Sequence, residues 1–207
     1  EATAETPLHR AGRHRLALEP VSSRSLWGDP RWVFDNATSG SEDNQSTISW
    51  NLDLQDGHNL LDPHHANLLD WLRRLVWSAF AAPGDGATSM KPGSLSGIGV
   101  GLRYWVAWLV EREIAWPHQI GTDVVATYQD HLQGDAENDA DTEGLTHSVA
   151  YCRLMPFALL WRQRFALERA GIAPMPAAPF GRAGLNKIAK KIASVAVGSY
   201  RPLPDEV

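Results

Sequence analysis

From residue 62 to residue 169 apolar side chains recur three and four positions apart in successive stretches, each fenced by proline or glycine. No other feature constrains the fold as strongly, because this spacing lays one stripe of each stretch along a helix and into a core. The first stretch opens at Asp62-Pro63, a favourable N-cap followed by the proline that a first turn tolerates. It carries Leu68, Leu69, Leu72, Leu75, Val76 and Phe80, and stops before Pro83-Gly84-Asp85-Gly86. The second starts near Ser94 or Ser96, with Ile98, Leu102, Trp105 and Leu109 on one stripe. It ends at Ala115-Trp116-Pro117, since proline disfavours the helical conformation in the residue before it. Gly97, Gly99 and Gly101 weaken this helix. With no Gly-Lys-Ser/Thr signature and no preceding strand, they read as close packing rather than as a phosphate loop.

A third helix is expected from Thr122, with Val124, Val125, Tyr128 and Leu132 inward and Gly134 closing it. The fourth runs from Thr142 or Thr146 to Arg169, with Pro156 expected to kink or split it. Ala170-Gly171 marks its end, and a fifth helix spans about 183–197. Ahead of the helices, Thr47-Ile48-Ser49-Trp50-Asn51-Leu52 alternates polar and apolar residues, the signature of a half-buried strand. Strand-like pieces are therefore expected at 31–35 and 47–54, with a loop at 36–46 and a turn at Gln55-Asp56-Gly57. The predicted fold is mainly α: a helical bundle of four to five helices, preceded by an arm, a short β element and one helix. The expected divisions are 1–82 for the N-terminal part, 83–92 for a linker, 93–180 for the helical domain, and 181–207 for a basic helix leading onward.

Hydrophobic residues make up 43% of the chain, which places it among globular sequences, and most of its nine Trp lie inside apolar runs, as core residues would. No apolar run approaches the roughly 20 residues that span a bilayer, so no membrane is expected. A single cysteine, Cys152, rules out an internal disulfide and fits a reducing, cytoplasmic setting. The formal charge of −5 argues mildly against a nucleic-acid partner, but its distribution is uneven. Arg10, Arg13, Arg15 and Arg24 form one basic stretch, and Arg182, Lys187, Lys190, Lys191 and Arg201 another. Acids crowd into 135–143. Local basic patches hold phosphates whatever the total.

Catalytic chemistry finds little support. His58, His64 and His65 lie close together without a Cys pair or a His-Glu-x-x-His box. Adjacent His64 and His65 point about 100° apart on a helix, so no metal and no cofactor are expected. No Gly-x-Ser-x-Gly elbow occurs, and Glu111 and Glu113 fall on opposite sides of their helix. What remains suits a polyanion. Lys91, Ser94 and Ser96 surround one helix start, and Thr146 and His147 another, where backbone N–H groups and hydroxyls hold phosphates. Arg103 projects away from its apolar stripe. Arg153 and Arg162 lie nine residues apart and point to opposite sides of a straight helix. Lys187, Lys190 and Lys191 complete the set of candidates, and each Arg taken singly reads more readily as a surface salt bridge or a solvated side chain.

Residues 91–169 resemble the core-binding, SAM-like domain of tyrosine recombinases, the phage-type integrases. The matching segments run in the family's order: Ser94-Leu95-Ser96, then Leu102-Arg103-Tyr104-Trp105-Val106-Ala107-Trp108-Leu109, then Ile120-Gly121-Thr122 through Tyr128, then Thr146-His147-Ser148-Val149-Ala150-Tyr151-Cys152-Arg153-Leu154. Upstream, Ile48-Ser49-Trp50 and the helix from Asp62-Pro63 to Trp77 resemble the N-terminal extension of larger bacterial integrases. Downstream, Arg201-Pro202-Leu203-Pro204-Asp205-Glu206-Val207 resembles the opening of their catalytic domain. The resemblance implies that the helices starting near Ser94 and Thr146 lie against double-stranded DNA, beside other protomers of the same recombinase. It further implies that the family's catalytic Arg, His-x-x-Arg box and Tyr nucleophile lie beyond Val207, leaving this portion non-catalytic and the whole protein a DNA-associated bacterial recombinase. The rival expectation is a helical protein–protein interaction module with no DNA role.

Overall fold

A computed structural model of the chain describes residues 17–35, 46–80, 89–138 and 145–197. Residues 36–45 of the loop expected at 36–46, most of the linker at 83–92, residues 139–143 of the acidic segment expected at 135–143, the arm up to residue 16 and the tail from 198 lie outside the described residues. Among the described residues the fold is mainly α, with six helices and two small two-stranded sheets. No helix there is long and apolar enough to cross a membrane.

Strands β1 (Pro20–Ser22) and β2 (Ser25–Leu26) form one antiparallel pair, and β3 (Arg31–Val33) and β4 (Thr47–Ser49) the other. The second pair is in register Arg31↔Ser49, Trp32↔Ile48, Val33↔Thr47. Trp32 and Ile48 are buried while the residues on either side are partly or fully exposed, which is the period-two pattern expected of a strand with one wet face. The strand expected at 47–54 is shorter than predicted. Past Trp50, the Asn59 side-chain amide donates to the carboxamide of Asn51 (2.7 Å) and the carboxylate of Asp53 (2.9 Å). These bonds fold 51–60 into its own irregular hairpin, with the Leu60 N–H donating to the Leu52 carbonyl at 2.8 Å and the expected turn at 55–57.

A lead-in turn at Pro63–His65 opens α1 (Ala66–Phe80). Asp62 sits at the N-cap as expected, but its carboxylate caps no helical N–H and accepts the Asn59 N–H at 2.8 Å instead. The buried face of α1 meets the strands through aromatic rings. Arg73, itself buried, lies 5.8 Å from the rings of both Trp32 and Trp50 and donates to the Asp29 carbonyl at 2.8 Å. Burial pushes its guanidinium down to about 10 against the opposing charges of Asp70 and Asp29, so at neutral pH it is a buried cation held by ring faces and a carbonyl.

The bundle comprises α2 (Leu95–Glu111), α3 (Thr122–Asn138), α4 (His147–Arg162), α5 (Arg164–Arg169) and α6 (Leu185–Val197). Helix α4 packs on α2 and α6, and α6 also on α3. Trp71 of α1 meets Trp105 of α2 edge to face at 5.8 Å, and its indole N–H donates to the Ala115 carbonyl at 2.9 Å. The buried core is continuous from Val21 to Ile192.

Three helix expectations need correction. Helix α2 ends at Glu111 and not at Ala115-Trp116-Pro117. Gly134 does not close α3, which continues to Asn138; an interior glycine costs about 1 kcal/mol but stops nothing by itself. Nor does Pro156 split α4, which runs through it and breaks at Gln163. Pro156 has no N–H for the Cys152 carbonyl four residues back. That carbonyl faces Gly101 of α2, where a Cβ would overlap it. Glycine thus lets α2 approach the carbonyl that proline leaves open, a place suited to a Cα–H···O contact. The break at Gln163 has a local support. Arg164 donates to the Trp161 carbonyl at 2.8 Å and lies 4.1 Å from the Trp161 ring centre, holding the end of α4.

Helices α2 and α5 end alike. At α5 the Ile172 N–H reaches the Leu167 carbonyl (3.0 Å) and the Gly171 N–H the Glu168 carbonyl (2.9 Å), with Gly171 at φ 77°. At α2 the Ile114 N–H reaches Leu109 (2.9 Å) and the Glu113 N–H reaches Val110 (3.0 Å). Both are Schellman closures, but at α2 the left-handed position is held by Glu113, at φ 56°.

Candidate nucleic-acid interface

Charge segregates along the fold. Residues 145–197, which form α4, α5 and α6, carry eight Lys/Arg and one acid, Glu168. Residues 95–138, which form α2 and α3, carry two Lys/Arg and six acids. The negative total therefore coexists with a strongly basic side.

Within that side the first turns of α4 and α6 come together. Thr146 is the extended N-cap of α4, and its hydroxyl oxygen accepts the Val149 N–H at 3.4 Å. His147 Nε2 lies 2.9 Å from the Asn186 Oδ1 in the first turn of α6. This bond requires the Nε2 proton, and it ties the two helix starts to each other. Neither first turn contains an acid, so within those turns no carboxylate offsets the partial positive charge of the two helix N-termini. Lys187, Lys190 and Lys191 are exposed on α6, because Ala189 and Ile192 take the inward stripe. Arg182, just before α6, is also exposed.

The other predicted residues are spread more widely. Lys91, Ser94 and Ser96 are exposed around the turn Pro92–Ser94 that leads into α2, but Ser94 is already helical and its side chain caps nothing. Arg103 is exposed along α2, and Arg162 at the end of α4. Arg153 is only half exposed, and its guanidinium lies 3.8 Å from the Tyr104 ring centre in a cation–π contact. Of the predicted set, Thr146 and His147 are thus brought beside the lysine helix, whereas Arg153 is committed to Tyr104. Asn186 was not anticipated; the only signal for it is a hydrogen-bonding side chain in the first turn of a lysine-rich helix.

The expectation that His64 and His65 cannot converge on one point also needs correction. With an Asp56 oxygen their ligand atoms all lie within 4.8 Å of one another. Comparison with known protein families, with curated proteins and with solved structures found no match for the chain.

Proposed function

We propose that this chain is the DNA-gripping, core-binding portion of a tyrosine-recombinase-like protein, and that it holds duplex DNA against the joined starts of α4 and α6. The observation that carries the reading is the pairing of two acid-free helix N-termini, through His147 and Asn186, beside the exposed Lys187, Lys190 and Lys191. Backbone N–H groups, helix dipoles and ammonium groups then converge on one surface, which is the chemistry that a phosphate backbone requires. The ordered resemblance of residues 91–169 to recombinase core-binding domains supports the recombinase part of the reading. Phosphate contacts give affinity and register, and base-edge contacts only limited specificity. A single domain contacts one side of the duplex, so binding is weak and strongly salt-dependent.

The test is fluorescence anisotropy with a labelled duplex across a salt series. The plot of log affinity against log salt should become shallower by about 0.9 for each phosphate deprived of its ammonium partner in Lys187→Gln and Lys190→Gln. Absence of duplex binding at low salt, or an unchanged slope in the double variant, refutes the proposal and leaves the helical interaction module as the reading to pursue.

A further inference from the structure

On the opposite flank of the sequence from the basic helices, the 51–60 hairpin folds over the lead-in turn of α1. Its turn puts Asp56 against two histidines. Asp56 Oδ2 lies 2.9 Å from His65 Nε2 and 4.0 Å from His64 Nε2. The His58 N–H donates to Asp56 Oδ1 at 3.1 Å, which orients the carboxylate. The His58 ring stacks on that of His64, with centres 4.6 Å apart.

His65 is the informative member. Its side chain is 8% exposed, and Nε2 is buried without a hydrogen-bond partner although the carboxylate is within reach. The ring nitrogen and the carboxylate oxygen, 2.9 Å apart, are close enough to turn toward one ion as neighbouring ligands. The group borders a cleft of about 430 Å³ whose far side is the end of α2, including Glu113 and Ile114. Glu113 occupies a left-handed position where a Schellman closure usually places glycine, at some cost in strain.

We propose that Asp56, His64 and His65 form a binding site for a divalent transition metal of the zinc class. Two imidazole nitrogens and one carboxylate oxygen are a borderline donor set that suits Zn²⁺, Co²⁺ or Ni²⁺ and not the all-oxygen shells of Mg²⁺ or Ca²⁺. His65 is the fixed ligand. His64, 62% exposed, swings the remaining distance to close the usual bond lengths of about 2.0–2.2 Å. His58 and its bond to Asp56 form the supporting shell. Three protein ligands leave a coordination position facing the cleft, where water binds and Glu113 lies on the opposite wall. The metal fastens the hairpin to the start of α1, so binding stabilises the fold.

Zn²⁺ titrated into the chelator-stripped 207-residue chain, followed by competition with a chromophoric chelator, measures stoichiometry and affinity. Co²⁺ in its place reports the ligand shell by its visible absorption. One equivalent should bind and raise the melting temperature. Asp56→Asn, which keeps an oxygen for the His58 N–H, and His64→Ala, which removes an exposed ring, should each weaken binding by at least about tenfold. His118→Ala, an exposed histidine elsewhere, should leave it intact. Circular dichroism confirms that each variant is folded. No Zn²⁺ binding at micromolar concentration, or equal affinity in Asp56→Asn, His64→Ala and the unaltered chain, overturns the proposal.

Discussion

Replacing Gly101 by alanine tests the central packing argument, because the same helix holds its own control. A Cβ at Gly101 would overlap the Cys152 carbonyl, with the Pro156 ring just beyond it. The obstacle is backbone, so no rotamer change relieves it, and α2 and α4 must move apart. Overpacking of this kind costs up to about 3 kcal/mol. Alanine returns about 1 kcal/mol of helix propensity, leaving a net loss of about 2 kcal/mol. Gly99, two residues earlier, has nothing within 4 Å of its would-be Cβ, so Gly99→Ala keeps the propensity gain and should stabilise by about 1 kcal/mol. For a chain of this length the two changes shift the melting temperature by roughly −4 to −8 °C and +2 to +4 °C. Urea denaturation should show midpoints displaced in opposite directions with unchanged slopes. If Gly101→Ala stabilises the protein as Gly99→Ala does, the proposed approach of α2 to the open carbonyl is wrong.

Glu113→Gly should raise stability by about 0.5–1 kcal/mol, because it relieves a left-handed residue in a closure built for glycine; no gain in a thermal melt would count against strain at that position. Asp35 accepts hydrogen bonds from the Ser23 hydroxyl and the Ser23 N–H, and these hold its carboxyl below its ordinary value of 3.8. A carboxyl depressed in the folded state contributes stability that is present above its unfolded value and lost as the pH falls through the folded one. Asp35→Asn should therefore be less stable than the unaltered chain at pH 7, with the difference closing below about pH 4; a gap that persists into acid would contradict the assignment. Burial pushes the Cys152 thiol up, so iodoacetamide should modify it far more slowly in the native chain than in urea at the same pH, and equal rates would show that the seam between α2 and α4 is open.

Much of the helical frame is legible in the sequence because periodicity and punctuation agree. The stripe of Leu68 to Phe80 and that of Ile98 to Leu109 are both buried, and the helix starts near residues 63, 94, 122 and 146 lie close to the proline or capping residue that announces them. The departures have identifiable causes. Gly134 and Gly171 look alike as glycines, yet only Gly171 ends a helix. The difference is the next residue: Ile172 is apolar and buried, completing the hydrophobic contact of the closure, whereas Gly134 is followed by an acid, Asp135. The same apolar signal at Ile114 closes α2 without any glycine. Judged by its own backbone, Pro156 should break a helix; its tolerance rests on Gly101, fifty-five residues earlier. The cluster of Asp56, His64 and His65 is hidden for a similar reason. Periodicity follows Cα–Cβ directions, while coordination is set at ring tips, and Asp56 arrives from a hairpin whose fold depends on Asn51, Asp53 and Asn59.

The basic face poses a sharper problem, since the residues that build a helix start and those that hold a phosphate compete for the same groups. Thr146 already receives the Val149 N–H, which removes that donor from any ligand while leaving the hydroxyl proton to give. His147 spends its Nε2 on Asn186. Affinity on this face should then rest on the lysines and the remaining N–H groups, and Asn186→Asp separates the two roles. A carboxylate in the first turn of α6 favours the helix by about 0.3–1 kcal/mol and accepts the His147 proton at least as well, so the variant should melt at or above the temperature of the unaltered chain. The same charge beside a bound phosphate opposes it by about 1 kcal/mol at 4 Å in water, which is roughly a fivefold loss of duplex affinity. Stability and binding thus move in opposite directions if DNA lies across α4 and α6. A variant that gains stability and keeps its affinity, measured in the same low-salt anisotropy assay, would place the DNA elsewhere, since a ligand on this face must feel the added charge.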